Sequence, residues 1–215
     1  MAVAGLLVST LLVTDAWRDD MRSGADDFGV VPAGSAPPGP RASHTASAVS
    51  PAGAGATDVP SPAPSAPEPS ELSLPRLKVR AAVDPVGVGT DGQVKVPGDP
   101  GRVGWYRFSP APGSAEGSAV LVGHIDARGR GLGVLLALNE VRQGDRVLIE
   151  RSDGSTVEYR ITARRTIGKK ALAGSGVFRR DGRPVLTLIT CAGPYLPDQG
   201  GYQNNLVVTA VEAPK

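Results

Sequence analysis

An all-β domain, either a barrel or a sandwich, is what the chain predicts for its C-terminal two thirds. Three observations carry that prediction. Short apolar runs alternate at period two or are β-branched throughout, turn residues separate them, and no strand–helix–strand rhythm links them. "RLKVRAAV" sets the pattern, with Leu77, Val79, Ala81 and Val83 on one face. Further strand candidates are "QVKV" (93–96), "SAVLVGH" (118–124), "DRVLIER" (145–151), "STVEYRITARRT" (155–166), "PVLTLITC" (184–191) and "NNLVVTAVE" (204–212). Turn signals divide them: "DPGR", "PAPGSAEG", "QGD", "SDGS" and "RRDGRP". "ERSDGSTVEY" reads as a tight hairpin with Asp153-Gly154 at its tip. The one helical candidate is "LGVLLALNEV", Leu132 to Val141, wedged between strands. Seven or eight short strands within about 140 residues fit a closed or two-layered β architecture.

The rest of the chain has a different texture. Residues 1–14, "MAVAGLLVSTLLVT", are almost wholly apolar, yet shorter than the roughly 20 residues a bilayer-spanning helix needs. They lack the basic start and the small-residue cleavage site of a signal peptide. The expectation is the distal part of an N-terminal membrane anchor, or a short signal-anchor; a core element of the folded domain is the alternative. Residues 15–75 are rich in Pro, Ala, Ser and Gly and poor in large apolar groups. Such a segment buries too little surface to offset the entropy of ordering it, so a disordered, semi-rigid spacer is expected there. The folded domain is then residues 76–215, held away from a membrane.

Charge and composition exclude several classes of function. Twenty-three Lys and Arg against 21 Asp and Glu give a net charge of +2, with no basic cluster of the kind nucleic-acid binding requires. One cysteine forbids an intramolecular disulfide, and two histidines, His44 and His124, leave no zinc ligand set. No metal and no cofactor are expected. His44 lies in the spacer and reads as a solvated, inert side chain.

The chemistry therefore rests on few residues. Cys191 ends the apolar run "VLTLITC" just where a Pro/Gly-rich loop begins. A lone thiol is commonly a small buried hydrophobe; at a strand rim it is also where a nucleophile would be held open to substrate. His124 ends "AVLVGH" in the same way, before a glycine-rich basic loop. An imidazole beside a thiol can take its proton and later protonate a leaving amine. On spacing alone both readings stand, a structural Cys and His or a catalytic pair.

"DGQVKVPGDPGRVGWYRFSPAPG", "GSAVLVGHIDARG", "TLITCAGP" and the closing "GGYQNNLVVTA" together resemble the sortases, in particular the class F type of actinobacteria. The resemblance runs from about Leu74 to Val211. It implies an eight-stranded β-barrel with one or two short helices. It also implies a cysteine transpeptidase on the outer face of the cell membrane, anchored through its N-terminus. The implied substrates are secreted proteins with an LPXTG-like C-terminal sorting signal, cleaved between Thr and Gly through a thioacyl enzyme. The acyl group then passes to an amine of the cell wall or of a pilin. Carried over by position, Cys191 is the nucleophile, His124 the general acid/base and Thr190 a residue shaping the acyl site. Asp126 is read as a turn cap rather than as an orienter of the imidazole. One departure stands out. Family members of this class commonly read Tyr-Arg-Asp-Asn before the last strand, and this chain reads Tyr202-Gln203-Asn204-Asn205. Gln203 thus sits where a substrate-holding arginine is expected, and its amide offers donors without charge. Arg128 or Arg130, after His124, could bring a guanidinium from another direction. A catalytically impaired sortase-fold binding or accessory module is the alternative that Gln203 favours. Another cell-wall cysteine enzyme, an L,D-transpeptidase, is opposed by the "LITC" context in place of a "SHGC" one.

Overall fold

Alternation of buried and exposed side chains organises the chain from Pro69 onward. In the computed structural model, which describes residues 26–31, 66–127 and 129–214, eleven strands are present. They are β1 (Phe28–Gly29), β2 (Pro69–Leu74), β3 (Val79–Val86), β4 (Val103–Tyr106), β5 (Ser118–Val122), β6 (Asp126–Ala127), β7 (Gly131–Leu132), β8 (Arg146–Arg151), β9 (Thr156–Gly168), β10 (Val185–Leu196) and β11 (Gly201–Glu212). Eight of them close a barrel in the order β9-β11-β10-β5-β4-β3-β2-β8, with β8 returning to β9. β1 adds to the outside of β9, and β6–β7 form a separate two-stranded ribbon. The all-β prediction holds, as an eight-stranded barrel with few short helices.

The expected hairpin joins β8 to β9, with Asp153-Gly154 at its tip and Gly154 at φ 79°. Inside the barrel, Leu72, Leu121, Leu186, Leu188, Leu206 and Val208 share one core with Trp105 and Tyr159. Complete burial of each leucine contributes roughly 1.5–3 kcal/mol. Val120, Val122, Ile189 and Val207 form a second, outward cluster under Leu172, Val177 and Phe178. This double burial explains why "VLTLIT" is a continuous apolar run: β10 is the centre of the sheet, in parallel register with β5 and covered on both faces.

Several elements differ from the sequence expectation. "QVKV" is not a strand; only an isolated bridge, Val88 to Val94, forms there, in a stretch flanked by Gly92 and by Pro97, which has no N–H to give a ladder. The helix foreseen at 132–141 is a shorter 3₁₀ turn, Val134–Asn139, that buries Leu135 and Leu138. A four-residue helix α1 (Lys169–Leu172) follows β9. β4 has two apolar aromatics but only four residues, too few for alternation to register.

The sheet also begins earlier than the spacer boundary at residue 75. In β2, Leu72 and Leu74 are buried between Glu71 and Ser73. Upstream, Asp26–Val31 also packs on the barrel. Gly29 pairs with Ala163, and a Cβ there would stand 1.8 Å from the Thr162 carbonyl oxygen, so only glycine allows this approach. Arg164 clamps the segment: its guanidinium donates to the Asp26 carbonyl (2.7 Å), to the carbonyls of Asn139 (2.7 Å) and Val141 (3.1 Å), and lies over the Phe28 ring. Burial lowers its pKa from the ordinary arginine value, partly offset by the charges of Asp26 and Asp27. Arg164→Met keeps the apolar stem but leaves these acceptors without a donor. It is expected to lower the unfolding free energy by roughly 2–4 kcal/mol, read as a fall in the urea midpoint without a change in slope. The expected apolar anchor (1–14) and most of the expected spacer lie outside the described residues. Among the described residues, no helix is long and apolar enough to cross a membrane.

Candidate active site

β10 and β5 run parallel, and their register relates Cys191 in β10 to the residues that follow β5. Paired positions proceed from Val185–Ser118 to Ile189–Val122. The next step is held by two further bonds: the Gly123 N–H donates to the Ile189 carbonyl (3.1 Å), and the Thr190 hydroxyl donates to the Gly123 carbonyl (2.9 Å). Counted one residue further, beyond the paired positions, His124 falls opposite Cys191, and β10 does not end there as the sequence suggests but continues to Leu196. Thr190 points inward and is buried, so it ties the end of β5 to β10 from beneath. On its other side Cys191 pairs with Asn205 of β11.

His124 is fixed from two directions. Its carbonyl accepts from Leu135 N–H (3.2 Å), and Gly133 passes so close that a Cβ would come within 2.1 Å of that oxygen. Its Nε2 lies 2.9 Å from the Pro97 carbonyl. A carbonyl only accepts, so Nε2 carries a hydrogen, and it is Nδ1 that is left to accept or release a proton.

A groove of about 470 Å³ opens over Cys191 on the outer face of the barrel. Val122 and Ile189 form its floor, Val94 and Val96 one wall, Leu172 and Phe178 the other, with Asn205, Lys169 and Lys170 as polar members. It is a largely apolar trough with a half-buried thiol at one end, the form a small extended peptide fits. Burial pushes the Cys191 thiol above its ordinary pKa; Lys169 pulls it down and Asp126 pushes it up. A thiol so placed needs a base or a cation to become a thiolate at neutral pH.

The other expected site residues are distributed differently. Gln203 lines a neighbouring depression with Gly168, Lys169, Gln199 and Tyr202, and its amide donates to the carbonyls of Gly201 (2.6 Å) and Gln199 (3.2 Å). Its donors thus serve its own turn instead of pointing at a bound carbonyl in the Cys191 groove. The cause lies in β10, where pairing with β11 shifts between Ala192 and Tyr195, so the hairpin tip departs from the regular ladder. The exposed Arg130 donates to the Gly98 carbonyl, and Arg128 lies outside the described residues. Asp126, expected as a turn cap, opens β6, and its Oδ2 accepts from the Tyr202 hydroxyl (2.7 Å). That bond joins the loop after His124 to β11, and the Tyr195 ring packs edge-on against Tyr202 at 4.9 Å. Burial, then Asp126, raises the Tyr202 phenol above its ordinary pKa, so it stays a donor. Lys169 was not among the expected site residues because it comes from the end of β9, and Tyr202, though part of the closing motif, carries no local sign of its bond to Asp126. No group of three or more His, Cys, Asp or Glu able to hold a metal is found among the described residues.

Residues 72–213 match the family model of the sortase domain. The chain belongs to the sortase family. Its fold is similar to that of the lid mutant of sortase A from Corynebacterium diphtheriae, at 21% identity over 69% of this chain and 72% of that one, with a TM-score of 0.53. It is likewise similar to sortase C1 of Streptococcus agalactiae in complex with MTSET, at 23% identity over 67% of each chain and a TM-score of 0.52. Sortase C-1 from Actinomyces oris matches at 23% identity over 67% of this chain and 73% of that one, with a TM-score of 0.50. At such identities the structural likeness establishes the sortase fold. Comparison with curated protein sequences found no match.

Proposed function

We propose that this sortase is a cysteine transpeptidase of the class F type, with Cys191 as nucleophile and His124 as general acid/base. What supports the reading is the β5–β10 register: counted two positions past the end of β5, it sets the only histidine of the folded domain opposite the only cysteine, which lines the apolar groove from within β10. Nδ1 of His124 takes the thiol proton, and the thiolate attacks the threonine carbonyl of an LPXTG-like signal lying in the groove. The imidazolium returns the proton to the departing glycine amine as the C–N bond breaks, leaving a thioacyl enzyme. An amine of the cell wall or of a pilin, deprotonated by the same ring, then attacks the thioester carbonyl. The C–S bond breaks, the new amide forms and the thiol is restored. No metal or cofactor takes part. Thr190 acts by holding Gly123, and Arg128 and Arg130 are the substrate-binding arginines of this reading. The apolar residues 1–14 anchor the enzyme at the extracellular face of the membrane, and the Pro-rich spacer lets the domain reach its substrates.

Incubation with an LPXTG-type peptide should add the mass of the acyl portion to the intact protein. Hydroxylamine or an added amine should remove it. A second reading, a sortase-fold binding or accessory module with impaired turnover, is favoured by the engagement of Gln203 with its own turn. Under that reading the peptide binds and no adduct forms.

A further inference from the structure

We infer that Lys169 is the electrostatic positioning residue of this site, its ammonium stabilising the Cys191 thiolate. The inference rests on the reading of Cys191 as nucleophile. It starts from placement. In β9, Ile167 pairs with Asn205, which pairs in turn with Cys191, and Gly168 pairs with Asn204. Lys169 is the first residue past that row, where β9 turns into α1, and it lines the groove that holds Cys191. Lys169 and its neighbour Lys170 both also line the depression that holds Gln203, and Lys169 is the one that continues the alternation of β9 from Ile167, in the row of Cys191. The Gln203 amide, by contrast, is engaged by Gly201 and Gln199. Arg130 is directed to the Gly98 carbonyl across the other side of the loop.

The charges around the thiol give the lysine its purpose. Asp126 on β6 acts against ionisation, Tyr202 on β11 is a neutral phenol bonded to Asp126, and His124 follows β5. Lys169 and Lys170 on α1 are the cationic side chains lining the groove, and of the two it is Lys169 whose charge favours the thiolate. Because Lys169 is exposed at the groove mouth, its effect is a screened Coulombic one and depends on salt.

The test uses Cys191 as the reporter, since no other thiol is present. Alkylation by iodoacetamide, a neutral reagent, is followed by intact mass against pH. The thiolate displaces iodide and the thiol proton goes to His124 or to water. Lys169→Gln is expected to slow alkylation at neutral pH by about 3- to 10-fold at low salt and to move the profile to higher pH. Lys169→Arg should restore the wild-type profile, and at about 1 M salt the wild-type and glutamine profiles should converge. A purely structural role for Lys169 would produce neither the rescue nor the salt dependence. Superimposable profiles for wild type and Lys169→Gln would overturn the inference. The sortase reading is judged separately by the thioacyl adduct of the wild type. Absence of that adduct defeats the reading, while the alkylation series still decides whether Lys169 sets the thiol.

Discussion

Cys191→Ala is expected to abolish the thioacyl adduct and peptide cleavage while leaving the barrel folded. The two halves of that expectation have different physical sources. Chemistry is lost because the acyl group has no other sulfur to bind, and neither Asn205 nor Thr190 offers an activated nucleophile. Asn205 is an amide in the ladder, and the Thr190 hydroxyl is buried and directed to the Gly123 carbonyl. Stability is retained because the thiol is half-buried on the outer face, whereas the inward positions on either side of it, Thr190 and Ala192, are the buried ones. Removing one sulfur from such a rim opens little cavity, and the expected change is within about 1 kcal/mol. Intact mass after peptide incubation and a thermal melt by circular dichroism measure the two halves independently. An adduct that survives in the alanine variant would place the acyl group elsewhere and end the proposed mechanism. A collapsed melt would make Cys191 a core residue after all.

Much of this site was legible in the sequence, for a reason tied to β-structure. An abrupt change from β-branched residues to Gly and Pro marks "LITCAGP" and "LVGHID": at the second, β5 ends just before Gly123-His124, whereas at the first the sheet continues past Cys191 to Leu196 and becomes irregular between Ala192 and Tyr195. The hairpin at Asp153-Gly154 was legible for the same local reason. What was not legible depends on pairing between distant segments. β2 has only Leu72 and Leu74 to mark it within a proline-rich context, and it becomes a strand because β3 and β8 flank it on both sides. Asp26–Val31 carries no signal beyond Phe28, yet the unpaired edge of β9 and the guanidinium of Arg164 capture it. Gln203 illustrates the converse case. Its place on the strand was countable, but the β10 irregularity between Ala192 and Tyr195 decides what its amide meets. Asp126 and Tyr202 are 76 positions apart, and no local pattern predicts their bond.

His124→Gln carries the second large expected effect and separates two roles that alanine would confuse. Nε2–H of His124 donates to the Pro97 carbonyl, and in the proposed mechanism Nδ1 exchanges the proton. Alanine removes both, and would also release the Pro97 segment that leads from the Val94–Val96 wall of the groove. Glutamine can keep a donor toward Pro97 but has no basic nitrogen at neutral pH. If the proton-transfer role is what matters, both variants should lose about 10²- to 10⁴-fold in the rate of thioacyl formation, the range general acid–base catalysis supplies. Burial already holds the Cys191 thiol above its ordinary pKa, so without the imidazole its thiolate should appear only at higher pH. The residual rate of His124→Gln should accordingly rise with pH through the alkaline range, where wild type has levelled off. A glutamine variant that retains near-wild-type turnover would assign His124 to holding Pro97, and the base would have to be sought elsewhere in the groove.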